Sequence, residues 1–102
     1  MRLLENKVAL ITGASRGIGA AIALAMAEQG ALVAATATTA AGAENISQRL
    51  QAHGLKGKGF VLNLSDDASI KSLFAELQDF GLPNILVNNA GITRDNLLLR
   101  MK

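Results

Sequence analysis

The run Val8-Ala9-Leu10-Ile11-Thr12-Gly13-Ala14-Ser15-Arg16-Gly17-Ile18-Gly19 passes from an apolar, partly β-branched stretch straight into three closely spaced glycines. Val8–Thr12 reads as a buried strand, and the residues from Gly17 onward read as a helix. Strand, glycine turn and helix N-terminus, in that order, make a phosphate cradle. Glycines let the backbone approach a pyrophosphate, and the unpaired N–H groups of the first helical turn face its negative charge. Gly13, Gly17 and Gly19 would equally serve a tight turn with close helix–strand packing and no ligand, so a second element has to decide between the two.

Outward from that run the pattern alternates. A helix is expected over Gly17–Gln29, with Ile18, Ile22, Ala25, Met26 and Gln29 at helical spacing and Gly30 as its stop. Ala31–Thr36 reads as a second strand. Ala40–His53 reads as a second helix, with Ala43, Ile46, Leu50 and His53 on one face. Gly59–Leu64 reads as a third strand. Ser65 is the expected N-cap of a third helix, with Asp66 and Asp67 at the positive end of its dipole. That helix should bury Ile70, Leu73, Phe74 and Leu77 and end at Gly81 and Pro83. Ile85–Asn88 reads as a fourth strand, and an apolar stretch over Leu97–Met101 follows. Strands alternating with helices imply βαβ units and a parallel sheet with right-handed crossovers. The expected class is α/β, a Rossmann-like doubly wound parallel sheet. About four strands and three helices make it the N-terminal half of such a fold, cut before its second half. Residues 1–102 read as the N-terminal portion of one dinucleotide-binding domain.

Composition narrows the function. Half of the 102 residues are hydrophobic and only 3% aromatic, so the core must be aliphatic, as in a parallel sheet covered on both faces. The net charge of +2 comes from interspersed residues without a basic tract, which argues against nucleic acid. The chain has no Cys, which removes disulfides and thiolate chemistry and fits a reducing compartment. No apolar run approaches the roughly 20 residues that span a bilayer, and Glu5 and Lys7 interrupt the first apolar stretch. No membrane association is expected, and the expected location is cytoplasmic. His53 is the single His. It suits a helix C-terminus, and with no second His or Cys no metal site is expected. Lys56 and Lys58 read as solvated loop charges.

The second element is Asn88-Asn89-Ala90-Gly91, at the end of the fourth strand. The carboxyl ends of strands one and four flank the switch point where a doubly wound sheet binds its ligand. With Thr12-Gly13-Ala14-Ser15-Arg16-Gly17-Ile18-Gly19 and Asn88-Asn89-Ala90-Gly91 both in place, the chain resembles the short-chain dehydrogenase/reductase family over essentially its whole length. The closing run Gly91-Ile92-Thr93-Arg94-Asp95-Asn96-Leu97-Leu98-Leu99-Arg100-Met101-Lys102 looks like that of the bacterial 3-oxoacyl-(acyl-carrier-protein) reductases of fatty-acid synthesis.

An NAD enzyme usually ends its second strand with Asp or Glu, which accepts from the ribose 2′-OH. An NADP enzyme lacks that carboxylate and offers a cation to the 2′-phosphate. Here the strand runs into Thr36-Ala37-Thr38, and no acid occurs between Glu28 and Glu44. Arg16 stands in the glycine loop, where a guanidinium could hold a phosphate, although a solvated loop arginine is the plainer reading. NADPH/NADP is therefore the expected cofactor. The resemblance places Ser15, Arg16 and Thr38 around that phosphate, with Ile18 in the same loop. It also places Asn63 at the adenine with Leu64 beside it. Asn89 would tie strand four to its neighbours, and Ala90 and Gly91 would let the backbone approach the ribose. A strand-ending Asn63 that bonds its own turn is the alternative.

Catalysis in the resembled family uses a Tyr-x-x-x-Lys pair with a Ser and an Asn. The chain contains no Tyr, and the family's Ser and Asn positions fall beyond Lys102, so no residue is expected to be catalytic. The resemblance implies a complete enzyme that reduces acyl-carrier-protein-linked β-ketoacyl thioesters to β-hydroxyacyl thioesters, as a homotetramer. Two other functions fit the same motifs: a short-chain reductase of sugars, steroids or alcohols, and a stand-alone nucleotide-binding module without catalysis.

Overall fold

The computed structural model describes residues 3–14, 17–63 and 65–88. Seven elements follow one another: β1 (Val8–Thr12), α1 (Gly17–Glu28), β2 (Leu32–Ala37), α2 (Ala40–Ala52), β3 (Gly57–Val61), α3 (Asp67–Phe80) and β4 (Ile85–Asn88). The strands form one sheet in the order β3-β2-β1-β4, and every pairing is parallel. This is the Rossmann-like α/β arrangement expected from the alternation. The expected Leu97–Met101 stretch lies outside the described residues.

The core is two aliphatic layers, one on each face of the sheet. Alternation along β1 sends Ala9 and Ile11 to one face, where they meet Ala23 and Ala27 of α1 and Ile46 and Leu50 of α2. Leu10 points to the other face, beside Ala34, Phe60, Ile70, Leu73 and Leu77. Helices on both faces are what a parallel sheet needs when its strands carry apolar residues on both sides. Phe60 of β3 and Phe80 of α3 close the second layer edge to face, with ring centroids 5.2 Å apart.

Several boundaries and faces differ from expectation. In α1 the buried residues are Gly19, Ala20, Ala23 and Ala27, whereas Ile18 is 72% exposed. Spacing of the larger apolar residues pointed to the Ile18–Ile22 stripe. The helix instead lies on the sheet through its smallest side chains, which permit close approach. β2 runs one residue later than expected, and β3 runs Gly57–Val61 rather than Gly59–Leu64. The reason in β3 is its partner: Gly57 pairs with Val33 and Gly59 with Ala35. At Gly59 an added Cβ would collide with the backbone of Ala43, so α2 rests directly on that glycine. Strand propensity disfavours Gly-Lys-Gly, and the helix above it overrides that.

The N-cap of α3 is Asp66, whose side chain accepts from Ala68 N–H at 3.0 Å, and not Ser65. Ser65 is drawn away by Asn63, as described below. α3 buries Ile70, Leu73 and Leu77, with Phe74 only half-buried, and ends at Gly81. In α2 Ala43, Ile46 and Leu50 are buried as expected, but His53 caps the helix in solvent with its Nδ1 2.8 Å from Arg49 O. Lys58 belongs to β3 rather than a loop, and its Nζ lies 5.2 Å from the centre of the Phe60 ring.

Candidate functional site

All strands being parallel, their carboxyl ends lie along one edge of the sheet in the order β3, β2, β1, β4. Thr12, the last residue of β1, pairs with Asn88, the last residue of β4. The carboxyl ends of β1 and β4 therefore lie side by side. This is the crevice at which open α/β sheets bind ligands. The glycine turn and the start of Asn88-Asn89-Ala90-Gly91, far apart in sequence, are brought together there by the strand order.

The turn begins at Gly13, which has φ 65°. A side chain rarely adopts that conformation, so glycine is required by the backbone itself. Two bonds tie this point to β2: Gly13 N–H donates to Thr36 Oγ1 at 3.2 Å, and Ala14 N–H donates to Thr36 O at 2.7 Å. Gly17, at φ 67°, opens α1. No described atom lies within 4 Å of a Cβ built on Gly17. Gly59 and Gly17 thus differ in kind: a Cβ on the first would strike the Ala43 backbone, whereas a Cβ on the second, at the N-terminus of α1, meets no described atom. Gly19 is buried in α1, as a residue for close helix packing. Ile18 between them is exposed, a large apolar side chain at the rim of the turn.

Beyond β2, Thr38 is exposed and followed by Thr39, which caps α2 by accepting from Gly42 N–H at 3.0 Å. No acid occurs in the sequence between Glu28 and Glu44, so none directly follows β2. A phosphate beside Thr38 would meet the positive end of the α2 dipole. Beyond β3, Asn63 Oδ1 accepts from Ser65 N–H at 3.1 Å and from Ser65 Oγ at 2.7 Å. Asn63 N–H in turn donates to Ser69 Oγ at 2.9 Å. Asn63 therefore bonds its own turn, the plainer of its two readings. Its carbonyl oxygen is committed to Ser65, which leaves the amide NH₂ as the group it can offer a ligand. Ser15, Arg16, Leu64, Asn89, Ala90 and Gly91 lie outside the described residues.

Sequence reasoning passed over Thr36. The signal was a single hydroxyl in the apolar strand Leu32-Val33-Ala34-Ala35-Thr36-Ala37. At the opposite end of the sheet is a cavity of about 410 Å³ bordered by Glu5, Lys7, Gly30, Leu32 and Lys56. It is formed by the residues that enter β1 and β2 and does not touch the glycine turn. Among the described residues there is no group of three or more His, Cys, Asp or Glu that could hold a metal, and no helix is long and apolar enough to cross a membrane.

The comparisons with known proteins agree with this geometry. Curated relatives of this chain carry the name 3-oxoacyl-(acyl-carrier-protein) reductase FabG. The Pseudomonas aeruginosa protein is 57% identical over 100 residues, covering 97% of this chain and 40% of that one. Those of Salmonella typhimurium and Escherichia coli are each 58% identical over 99 residues, covering 96% of this chain and 39% of theirs. The chain spans about two-fifths of the length of these relatives. A family model described as short chain dehydrogenase matches residues 7–102, which include both the glycine turn and Asn88-Asn89-Ala90-Gly91. With that match over nearly every residue, and with the sheet order and glycine turn such a match requires, this chain belongs to the short-chain dehydrogenase family.

Proposed function

We propose that this chain is the NADP(H)-binding portion of a cytoplasmic 3-oxoacyl-(acyl-carrier-protein) reductase, and that residues 1–102 form the N-terminal part of its dinucleotide-binding domain. The pairing of Thr12 with Asn88 supports the reading, because it sets the end of β1, where the glycine turn starts, beside the first residue of the second motif. The names of the relatives support the substrate class.

In this reading Gly13, Gly17 and Gly19 shape the cradle, and the first turn of α1 presents N–H groups to the pyrophosphate. Ile18 offers an apolar contact at the rim. Ser15, Arg16 and Thr38 surround the 2′-phosphate, where Arg16 supplies the charge that a missing carboxylate does not oppose. Asn63 and Leu64 border the adenine, with the Asn63 amide NH₂ as donor. Asn89, Ala90 and Gly91 lie along the ribose and nicotinamide end. When bound, NADPH supplies the hydride that, together with a proton, turns a β-ketoacyl thioester into its β-hydroxyacyl counterpart. No Tyr is present among the 102 residues, so the proton donor of the family is not among this chain's side chains. The complete enzyme is proposed to be a homotetramer.

The test is a pair of fluorescence titrations with NADPH and NADH. NADPH is expected to bind at least about tenfold tighter, the worth of one charge-assisted phosphate contact. The chain by itself should not oxidise NADPH in the presence of an acetoacetyl thioester. Equal affinities, tighter NADH binding, or turnover that survives repurification would contradict the proposal.

A further inference from the structure

Thr36 is the one polar residue in β2, and it is 2% exposed. A hydroxyl taken out of water is costly unless it is hydrogen-bonded. Val would fill the same volume in a strand without that cost and with equal β propensity. What Thr36 has and Val lacks is Oγ1, and Oγ1 accepts from Gly13 N–H at 3.2 Å. The carbonyl of the same residue accepts from Ala14 N–H at 2.7 Å. One residue of the neighbouring strand thus holds two successive amides of the turn, at the place where Gly13 takes its left-handed conformation.

We infer that Thr36 is a positioning residue of the dinucleotide cradle: its hydroxyl clamps Gly13 against β2 and so fixes where the glycine turn starts. This rests on reading the turn as that cradle. The clamp divides the turn by function. The Gly13 and Ala14 amides point to β2 and are anchors, so the donors to a pyrophosphate come from further along, at the first turn of α1, whose amides have no partner within the helix. Thr36 is buried beneath the turn and acts through Gly13. Its effect must therefore be felt by any dinucleotide, with or without a 2′-phosphate. Arg16 would act on the phosphorylated one alone.

Two variants separate the hydroxyl from the packing. Thr36→Val keeps the volume and removes the acceptor. Thr36→Ser keeps the acceptor and removes a methyl group. In Thr36→Val, NADPH and NADH should both bind more weakly by the same factor, about three- to tenfold, as for one neutral hydrogen bond. Amide exchange at Gly13 should speed up, while Ala14, held by the backbone carbonyl, should change less. Thr36→Ser should restore both affinity and Gly13 protection. Wild-type affinity in Thr36→Val, Thr36→Ser as weak as Thr36→Val, or unchanged Gly13 exchange would overturn the inference. Loss of the fold in Thr36→Val would also overturn it, because the hydroxyl would then serve the sheet and not the turn. If the unaltered protein binds neither dinucleotide, the cradle reading fails, and Gly13 exchange in Thr36→Val still decides whether the clamp exists.

Discussion

Arg16 carries the sharpest consequence for a single side chain. If its guanidinium holds the 2′-phosphate, Arg16→Ala removes a charge-assisted bond that costs about 1.5–3 kcal/mol of NADPH affinity and leaves NADH affinity nearly unchanged. Equal losses for the two cofactors, measured by titration, would make Arg16 structural. The missing carboxylate after β2 and the position of the glycines could be read directly from residue types, because each has a requirement that few other residues meet. Thr36 and Asn63 were harder, since what they do depends on partners that sequence spacing does not reveal. Thr36 reaches across to Gly13, just past the end of the neighbouring strand. Asn63 turns its oxygen to Ser65, and this also explains why Asp66 and not Ser65 caps α3.

Among the secondary-structure elements, α2 and β3 make the tightest joint. Gly59 lies under the Ala43 backbone, with no room for a methyl group, and its N–H donates to Ser47 Oγ at 2.9 Å. Gly59→Ala must push the helix off the strand, and overpacking of this kind costs about 1–3 kcal/mol. Urea unfolding should show the midpoint falling by a corresponding amount, whereas an unchanged midpoint would mean that α2 can shift freely. The existence and type of all seven elements followed from apolar periodicity, with β1 and β4 bounded as expected. Their contact faces did not all follow. Periodicity weights large side chains, but α1 meets the sheet through Gly19, Ala20, Ala23 and Ala27, which carry little hydrophobic signal. β3 begins at two glycines because its register is set by β2 and its cover by α2, and both are tertiary facts.

The sheet as a unit is unevenly protected. β1 is flanked by β2 and β4, and its Ala9, Leu10 and Ile11 are wholly buried. β4 pairs with β1 along one edge, and Ile85, Leu86 and Val87 are only half-buried. Amide exchange should therefore be slow at Val8–Ile11 and distinctly faster at Ile85–Asn88, since local stability follows burial. Equal protection would show that β4 is as firmly held as the centre of the sheet. The strand order itself was legible because βαβ units admit one handedness and a doubly wound sheet reverses beside its first strand. That reversal produces the proposed cofactor crevice, so ligand binding can be followed along the whole chain. Amide chemical shifts recorded while NADPH is added to the isotopically labelled protein should move in four places along one edge of the sheet: Gly13–Gly19, Thr36–Thr38, Asn63–Leu64 and Asn88–Gly91. The residues at the other end of the strands, Glu5–Lys7 and Gly54–Lys56, should stay in place. Shifts centred on Glu5–Lys7 and Gly54–Lys56, or a glycine turn that does not respond, would contradict the assignment of the crevice.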